Sequence, residues 1–562
     1  MMGNRASYLA NTITFILSIA VATCKYAQAT NSTLDINSAD TLRLTQAAAV
    51  HNLLLDNPPN SFGAFGIPEF SLWGESALTW HSIIGYLGTA NDIPVLDILR
   101  KSLNIASFQG LGDFLGGNLA HLEIQMHGKT NDKLVLWGLA VAKGTEVFGS
   151  LAQINPAALT FGNLTQRTWM QLQSAWDETL CSGGIPTDTT VPLSQQIKST
   201  ITNAGFMALS ARLYGITGNV TYKKWADKTY NWMADSGLIT TEFSVYESLA
   251  HASTINASTS HVVSDPSPLS KPTSVKLACK LYSREQWSAP SGLLLSALGY
   301  MYQYTALEPY IDQLRTLLNA TLETFSTSNA VLIEPLCELG AKCVQQAWFK
   351  GILVGGLTDT YQTVEDAKIR KLIQTRLEIS LSEMVKTCGA SWNCSQIWSG
   401  VPISPYTLND QYQTVQLLNS AMIMLQAIDT TKSNSSTTYT STSTTDYMPS
   451  TTTSTLQSTM TLSESSLASW IPIVGANTSQ AMHTSRASIW TVSISTHMAA
   501  DNLSTGSSQH TSLTDSCLGD IVSPTDTWTL STLESIPHVY SQVHDLDPAV
   551  THVQPIPHPN SH

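Results

Sequence analysis

Residues 128–140 read GKTNDKLVLWGLA, a short polar stretch followed by an apolar run. Asp132 stands at the entrance to the apolar run, and a carboxylate in the first turn of a helix is stabilised by the helix dipole. The pattern therefore predicts a buried helix with Asp132 at its start. Two interpretations of Asp132 stay open here. It is an ordinary helix-start residue, or it is one member of a pair of catalytic acids in which Lys133 occupies the second place.

Similar apolar periods recur along residues 42–427, separated by Gly, Pro and Asn, whereas strand-like alternation is scarce. The segments that fit helices are 76–87, 134–151, 199–214, 222–233, 292–304, 308–325, 345–357, 364–384 and 412–428. About a dozen helices in this stretch predict an all-α domain of paired helices. An α-solenoid is the alternative, but the sequence lacks the fixed short repeat that such proteins have.

The composition argues against nucleic-acid binding. The chain of 562 residues has 28 Lys and Arg against 41 Asp and Glu, so its formal net charge is −13. Proteins that bind nucleic acid need clustered cations to replace phosphate counterions. Only 12% of the residues are charged, and 14 are Trp. This combination is common in secreted carbohydrate-active proteins, although other extracellular proteins share it.

The first 29 residues have the pattern of a secretory signal peptide. Arg5 precedes an apolar core at 13–22, and small residues, Ala27 and Ala29, flank the expected cleavage site. The rest of the chain carries nine Asn-x-Ser/Thr sequons, a density that agrees with export. We therefore expect a secreted or cell-surface protein. A GPI signal needs a hydrophobic C-terminal run, which this sequence does not show.

The cysteines favour disulfides over a metal site, because no Cys-x-x-Cys or zinc-like Cys/His spacing is present. Cys24 leaves with the signal peptide, and Cys517 has no assigned partner. The pairs that the spacing suggests are Cys337 with Cys343, Cys388 with Cys394, and Cys181 with Cys279.

Residues 430–562 form a Ser/Thr-rich tail. This composition cannot bury enough apolar surface to offset the entropy of ordering the chain. We expect a disordered, O-glycosylated stalk. The scattered histidines of the tail could bind metal, but a disordered segment with isolated His residues is the preferred interpretation.

The order of motifs along residues 63–427 resembles glycoside hydrolase family 76, the mannan endo-1,6-α-mannosidases, which include fungal cell-wall proteins. Trp73-Gly-Glu-Ser-Ala-Leu-Thr-Trp80 is similar to the family's Trp-Trp-Glu-Ala-Gly-Ala-x-Trp, with Gly74 in place of the second Trp. Asn131-Asp-Lys-Leu-Val-Leu-Trp-Gly138 is similar to Asn-Asp-Asp-Gln-x-x-Trp-Gly, with Lys133 in place of the second Asp.

Further motifs follow in the family's order. They are Trp176-Asp177 with Cys181-Ser-Gly-Gly184, Lys198-Ser-Thr-Ile-Thr-Asn203, Gln286-Trp-Ser288, and the run from Glu334 through Cys337 and Cys343 to Phe349-Lys-Gly351. Two elements depart from the family's pattern. Residues 185–188 are Ile-Pro-Thr-Asp where the family has Leu-Arg-Trp-Gln, and Ala289-Pro290 replaces a Tyr-Asn pair.

The resemblance implies an (α/α)6 toroid over residues 30–429, with a substrate cleft at one end. It also implies a retaining mechanism with Asp132 as the nucleophile. Lys133 occupies the position of the family's acid/base, and Glu75 is a possible substitute acid. The expected substrate-binding residues are Trp73, Trp80, Asn131, Asn203 and Trp287, although helical spacing also suits the tryptophans as core residues.

Retaining glycosidases need two carboxyl groups close to one sugar ring, one to attack and one to donate a proton. A lysine ammonium holds its proton tightly at neutral pH and is a weak acid catalyst. Two functions are therefore expected. The first is a glycosidase that cleaves or transfers α-1,6-mannosidic linkages in cell-wall mannan or mannose-containing anchors. The alternative is a catalytically impaired relative that binds glycans.

No cofactor or metal is expected for either function. The expected partner is mannan or another cell-wall polysaccharide, and we expect the chain to be a monomer.

Overall fold

A computed structural model describes residues 34–66, 72–108, 113–114, 130–155, 159–251, 278–340, 346–389, 391–400 and 406–435. In chain order, the long helices are α1 (Ala39–Asp56), α2 (Trp73–Leu87), α3 (Ile93–Ala106), α4 (Asn131–Phe148), α5 (Phe161–Ser174), α6 (Thr200–Thr217), α7 (Val220–Asp235), α8 (Ser288–Thr305), α9 (Glu308–Thr324), α10 (Phe349–Thr363), α11 (Ala367–Val385) and α12 (Leu408–Ser435). Short helical turns occupy Leu193–Gln195 and Pro335–Glu338.

The even-numbered helices form an inner ring. Each packs against the next even-numbered helix, and α12 returns to pack against α2, which closes the ring. The odd-numbered helices lie outside and pack on inner neighbours, as α5 does on α4 and α7 on α6. The inner helices are buried on most faces, whereas outer helices such as α9 bury a single stripe. The predicted all-α (α/α)6 toroid is confirmed.

All six inner helices begin at the same end of the ring. Trp287 and Phe349, at the starts of α8 and α10, have ring centroids 5.4 Å apart. Tyr214 and Tyr304, near the ends of α6 and α8, have centroids 6.4 Å apart. Equivalent levels also meet between α2 and α4 (Gly74 with Lys133), α10 and α12 (Trp348 with Tyr412) and α12 and α2 (Asn419 with Ser82). We call the end at which the inner helices begin the N-terminal end of the ring.

A small antiparallel sheet lies next to the starts of α6 and α8. It consists of β1 (Ile197–Ser199), β2 (Ser248–His251) and β3 (Cys279–Ser283), in the order β1-β2-β3. Ile197 pairs with Ala250, and the register shifts between Ser248 and Leu249. The sequence analysis did not predict this sheet, because its strands are only three to five residues long.

Two of the predicted disulfides are confirmed, Cys181–Cys279 and Cys388–Cys394. Cys337 is also disulfide-bonded, but the position of its expected partner, Cys343, lies outside the described residues. The predicted signal peptide and most of the predicted Ser/Thr-rich tail lie outside them too. None of the helices in the described ranges has the length and apolarity needed to cross a membrane.

Candidate active site

The structure brings the sequence-predicted site residues to the N-terminal end of the ring, with one exception. Trp73 and Glu75 lie in the first turn of α2, Asn131, Asp132 and Lys133 in the first turn of α4, and Asn203 in that of α6, while Trp287 directly precedes α8. Trp80 is the eighth residue of α2 and lies deeper in the ring. Residues distant in sequence therefore share one end because the inner helices run in the same direction.

Both carboxylate oxygens of Asp132 have partners. The Thr130 hydroxyl donates to Oδ1, and Lys133 Nζ lies 3.0 Å from Oδ2. The side chains of Asp132 and Lys133 are 16% and 27% exposed, so the ion pair is partly shielded from water. The Lys133 ammonium therefore binds the neighbouring carboxylate rather than pointing away into solvent. A carboxylate in this setting is held in one orientation by groups of its own helix start.

Glu75 belongs to the same charge cluster. It is partly buried in the first turn of α2, and this burial raises the pKa of its carboxyl above the usual value. A hydrogen bond with its own backbone and the Lys133 charge oppose the rise in pKa, and the Asp132 charge adds to it. Glu75 is thus close enough to both charged neighbours to respond to them. A carboxyl with a raised pKa is suited to donate a proton.

Asn131 and Asn203 bind backbone groups of one loop. Asn131 donates from its backbone N–H to the Thr187 carbonyl and from Nδ2 to the Pro186 carbonyl, each at 2.8 Å. Asn203 accepts from the Ile185 N–H at 2.8 Å and donates to the Ile185 carbonyl at 3.1 Å. Both amides are buried. In this structure their hydrogen bonds position the loop against the starts of α4 and α6.

The same loop has a strained backbone. Residues 181–184 all have positive φ, including Cys181 and Ser182, which side chains of L-residues disfavour. Lys198, fully buried, donates to the carbonyls of Asp177, Leu180 and Gly183 at 2.5–2.6 Å. Burial lowers the pKa of Lys198 to about 8, and the Asp177 carboxylate opposes this effect. The lysine and the Cys181–Cys279 disulfide together hold the loop that contacts Asn131.

The three tryptophans expected to bind sugar are buried. Trp80 packs against Phe65 with centroids 4.8 Å apart, and its Nε1 donates to the Gly63 carbonyl. Trp73 and Trp137 have centroids 4.9 Å apart. Trp287 is also almost fully covered. Their indole faces therefore contact protein side chains here, which corresponds to the core interpretation that helical spacing had left open.

Sequence reasoning did not single out Glu334, a buried carboxyl at the same end of the ring. Its side chain is 2% exposed and lies beside the start of α8, where Oε2 accepts the Ser288 N–H at 3.0 Å and the Ser288 hydroxyl. Its Oε1 has no partner among the described atoms. Burial raises the pKa of Glu334 to about 7, and the nearby Glu338 carboxylate adds to this. The available signal was its place in the run from Glu334 to Phe349-Lys-Gly351.

Glu338 binds a buried lysine on the neighbouring helix. Lys350, the second residue of α10, lies 2.6 Å from Glu338 Oε1 and 4.0 Å from the centroid of the Trp398 ring. It also donates to the Gln396 carbonyl. Because an ammonium group in the protein interior needs several partners, this contact set ties the 334–338 turn, α10 and the 391–400 segment together.

Deeper along the ring axis lies a cavity of about 40 Å³ to which all six inner helices contribute. Arg212 lines it, and its guanidinium donates to both oxygens of Glu146 at 2.8–2.9 Å and to Asp359. Ser296 donates to the same Asp359 oxygen at 2.8 Å. His81 also lines this cavity, and burial lowers its pKa to about 3, with the Arg212 charge as the second cause. These polar residues lie within apolar helix periods, a signal that the sequence analysis did not use.

No group of three His, Cys, Asp or Glu side chains within the described ranges could hold a metal ion. The N-terminal end of the ring offers carboxylates, a lysine and hydrogen-bonding groups. A carboxylate held in place and a second carboxyl with a raised pKa form the pair that glycoside hydrolysis uses.

The sequence profile of glycosyl hydrolase family 76 matches residues 51–434. This chain belongs to glycosyl hydrolase family 76. The match spans the inner helices up to residue 434 and reaches only the end of the first outer helix, Ala39–Asp56. The family that the motifs resembled is thereby confirmed, although this member differs from the family's motif at Lys133.

Family 76 members from fungi and bacteria are similar to this chain. The mannan endo-1,6-alpha-mannosidase DCW1 of Candida glabrata is 24% identical over 416 residues, which cover 70% of this chain and 82% of that protein. The crystal structure of Dfg5 from Chaetomium thermophilum with glucosamine has a TM-score of 0.57 at 21% identity, covering 70% of this chain and 93% of that one.

A bacterial structure shares the fold as well. It is an inactive variant of the alpha-1,6-mannanase of Salegentibacter sp., with two adjacent aspartates replaced by asparagine, in complex with alpha-1,6-mannotriose. Its TM-score is 0.53 at 15% identity, and the match covers 68% of this chain and 99% of that one.

Proposed function

We propose that this chain is a glycosidase that cleaves or transfers α-1,6-mannosidic linkages at the N-terminal end of its ring. In this proposal Asp132 attacks the anomeric carbon, and Glu75 donates its proton to the departing sugar oxygen. The covalent glycosyl-enzyme then reacts with water or with a sugar hydroxyl, and Glu75 takes up the proton of that acceptor. Each of the two displacements inverts the anomeric carbon, so its configuration is retained overall.

The observation that carries the proposal is the pairing of Asp132 with Glu75 at the starts of two adjacent inner helices. Asp132 is fixed through both oxygens. Glu75 has the raised pKa that a proton donor needs, and its carboxyl responds to the Asp132 charge. Lys133 is neither the nucleophile nor the acid in this proposal, and its ammonium binds the proposed nucleophile.

The relatives support the choice of substrate. The Candida glabrata relative is named as a mannan endo-1,6-alpha-mannosidase. In the bacterial mannanase, replacing two adjacent aspartates accompanies loss of activity, and that variant binds alpha-1,6-mannotriose. This chain has an Asp-Lys pair, Asp132 with Lys133, in the Asn-Asp-Asp motif of the family. One of the two acids must then come from another position, for which Glu75 is our candidate.

The second candidate function is a glycan-binding protein without catalysis. It is favoured by the ion pair between Asp132 and Lys133, because Oδ2 must exchange its lysine partner before it can attack a sugar. A charge-neutralised pair could still hydrogen-bond sugar hydroxyls. The two candidates differ in what they predict for Lys133→Asp. If the lysine has disabled the site, the wild type is inactive and the substitution creates activity.

The test uses the purified full-length mature chain with α-1,6-mannan, and measures both released oligosaccharide and bound mannan. We expect product from the wild type. Glu75→Gln lowers kcat/KM by at least about a hundredfold, the usual contribution of acid–base catalysis, and Asp132→Asn, which removes the nucleophile, lowers it at least as much. Because Glu75 acts as an acid, the wild-type rate falls as pH rises above its raised pKa, and Glu75→Gln removes this dependence.

Glu323→Gln, an exposed change on α9, serves as the matched control and keeps wild-type kinetics. A wild type that binds mannan but yields no product would establish the glycan-binding function instead. Product formation that survives Asp132→Asn would remove Asp132 from the mechanism.

We also infer that the protein acts outside the cell as a monomer. The observed disulfides fit an oxidising compartment. Export is tested by treating the secreted protein with a glycosidase that removes N-linked glycans, which shortens its apparent mass if the sequons are used.

A further inference from the structure

Lys133 does not extend into solvent but lies across the start of the neighbouring helix. A Cβ atom built on Gly74 would meet Lys133 Cδ at 2.6 Å and Cε at 3.3 Å. A real Cβ atom does not approach another carbon so closely. The lysine stem therefore occupies the space that any side chain at position 74 would need.

The backbone does not explain a glycine at this position. Gly74 lies in α2 and is absent from the residues with positive φ. Glycine in a helix costs up to about 1 kcal/mol relative to alanine, so it is disfavoured unless space requires it. The space at Gly74 is used by one residue above all, because the nearest atoms to its absent Cβ belong to Lys133.

The contact of the lysine stem with Gly74 fixes the position of the ammonium group. Lys133 Nζ lies 3.0 Å from Asp132 Oδ2, while the Thr130 hydroxyl holds the other oxygen. A free lysine loses up to about 2 kcal/mol of rotamer entropy when it is held in one geometry, and adjacent residues in a helix do not normally face each other. Contact with Gly74 stabilises a lysine conformation that would otherwise be one of many.

We propose that Gly74 and Lys133 are one interlocked unit, in which the space left by the glycine directs the lysine ammonium onto Asp132 and fixes the orientation of that carboxylate. Gly74 and Lys133 are thus positioning residues, and the two departures from the family's motifs at these positions are one change. The inference rests on the proposed function only for the role of Asp132. The interlock itself is testable without catalysis.

The first test follows the Lys133 amine by competitive reductive methylation and mass spectrometry, with the exposed Lys386 as the internal reference. Gly74→Ala displaces the stem, so we expect Lys133 to react severalfold faster than in the wild type. The matched control is Gly355→Ala, where the new Cβ would lie no closer than 3.6 Å to Gln416. It leaves the reactivity of Lys133 unchanged. An unchanged rate in Gly74→Ala would overturn the interlock whether or not the protein is an enzyme.

The second test measures kinetics on α-1,6-mannan. Gly74→Ala and Lys133→Met each lower kcat and leave KM unchanged, because the orientation of Asp132 matters to bond breaking rather than to binding. The double variant is no worse than Lys133→Met alone, since both changes act through one contact. Additive losses would contradict the proposal, and so would a rise in kcat on removing the lysine. Absence of product in every variant would sink the proposed function but leave the labelling result decisive.

Discussion

Replacing Glu334 with glutamine should stabilise the protein at neutral pH and leave it unchanged in acid. Glutamine keeps the shape of the side chain and an oxygen that accepts from Ser288. It removes the charge that appears when a buried carboxyl ionises. The variant therefore resembles the protonated wild type, and the two should differ only where the wild type has lost that proton.

The size of the effect follows from the two pKa values. Burial raises the pKa of Glu334 from 4.5 to about 7 in the folded protein. Between these values the folded state binds the proton more tightly than the unfolded state, so the free energy of unfolding falls as pH rises. Each pH unit between the two pKa values lowers the free energy of unfolding by about 1.36 kcal/mol. The loss therefore reaches about 3 kcal/mol by a pH of about 7.5. For about 400 folded residues this is a shift in Tm of about 4 °C.

The assay is thermal unfolding of wild type and Glu334→Gln at a pH of about 4.5 and of about 7.5. We expect equal Tm values in acid and a higher Tm for the variant at the higher pH. The exposed change Glu323→Gln is the control and shows wild-type values at both. A Tm difference of the same size at both pH values, or a less stable variant at the higher pH, would refute the reasoning.

Two further predictions concern the loop next to Asn131. Replacing Cys181 and Cys279 by serine should destabilise the fold by about 5 kcal/mol, against about 2 kcal/mol for Cys388 and Cys394, because the first pair closes a loop of 98 residues and the second a loop of 6; equal losses of Tm would contradict this. Lys198→Met leaves three buried carbonyls without their donor and should cost at least about 3 kcal/mol and speed proteolysis of the 177–187 loop, which limited digestion would reveal.

Much of the ring could be predicted from the sequence. The inner helices have long apolar stretches, and the sequence analysis found a segment that overlaps each of them. Three outer helices, α1, α3 and α5, were not among its predicted segments. α5 is mostly polar, with its buried residues spaced along one stripe, so it lacks the long apolar run that marks an inner helix. The prediction of export rested on the signal-peptide pattern and the sequons, and that of the tail on composition alone.

The candidate site was predicted only in part, because its chemistry depends on contacts between distant residues. The helix start placed Asp132, but no local pattern indicates that Lys133 lies over Gly74 or that Ser288 binds Glu334. The tryptophans were ambiguous for the same reason. Aromatic residues suit a sugar face and a packed core equally well, and only burial decides between them.

Because the inner helices run in one direction, the position of a residue in its helix gives its depth below the N-terminal end of the ring. Each step along any of these helices descends about 1.5 Å from the mouth of the ring. Glu75 is the third residue of α2 and Asp132 the second of α4, so both lie near the N-terminal end. His81, Ser296 and Gln416 are each the ninth residue of their helix and form one layer about 10 Å deeper. Bulky substitutions at successive depths along the inner helices would report how far a polysaccharide enters the ring above the layer of His81, Ser296 and Gln416.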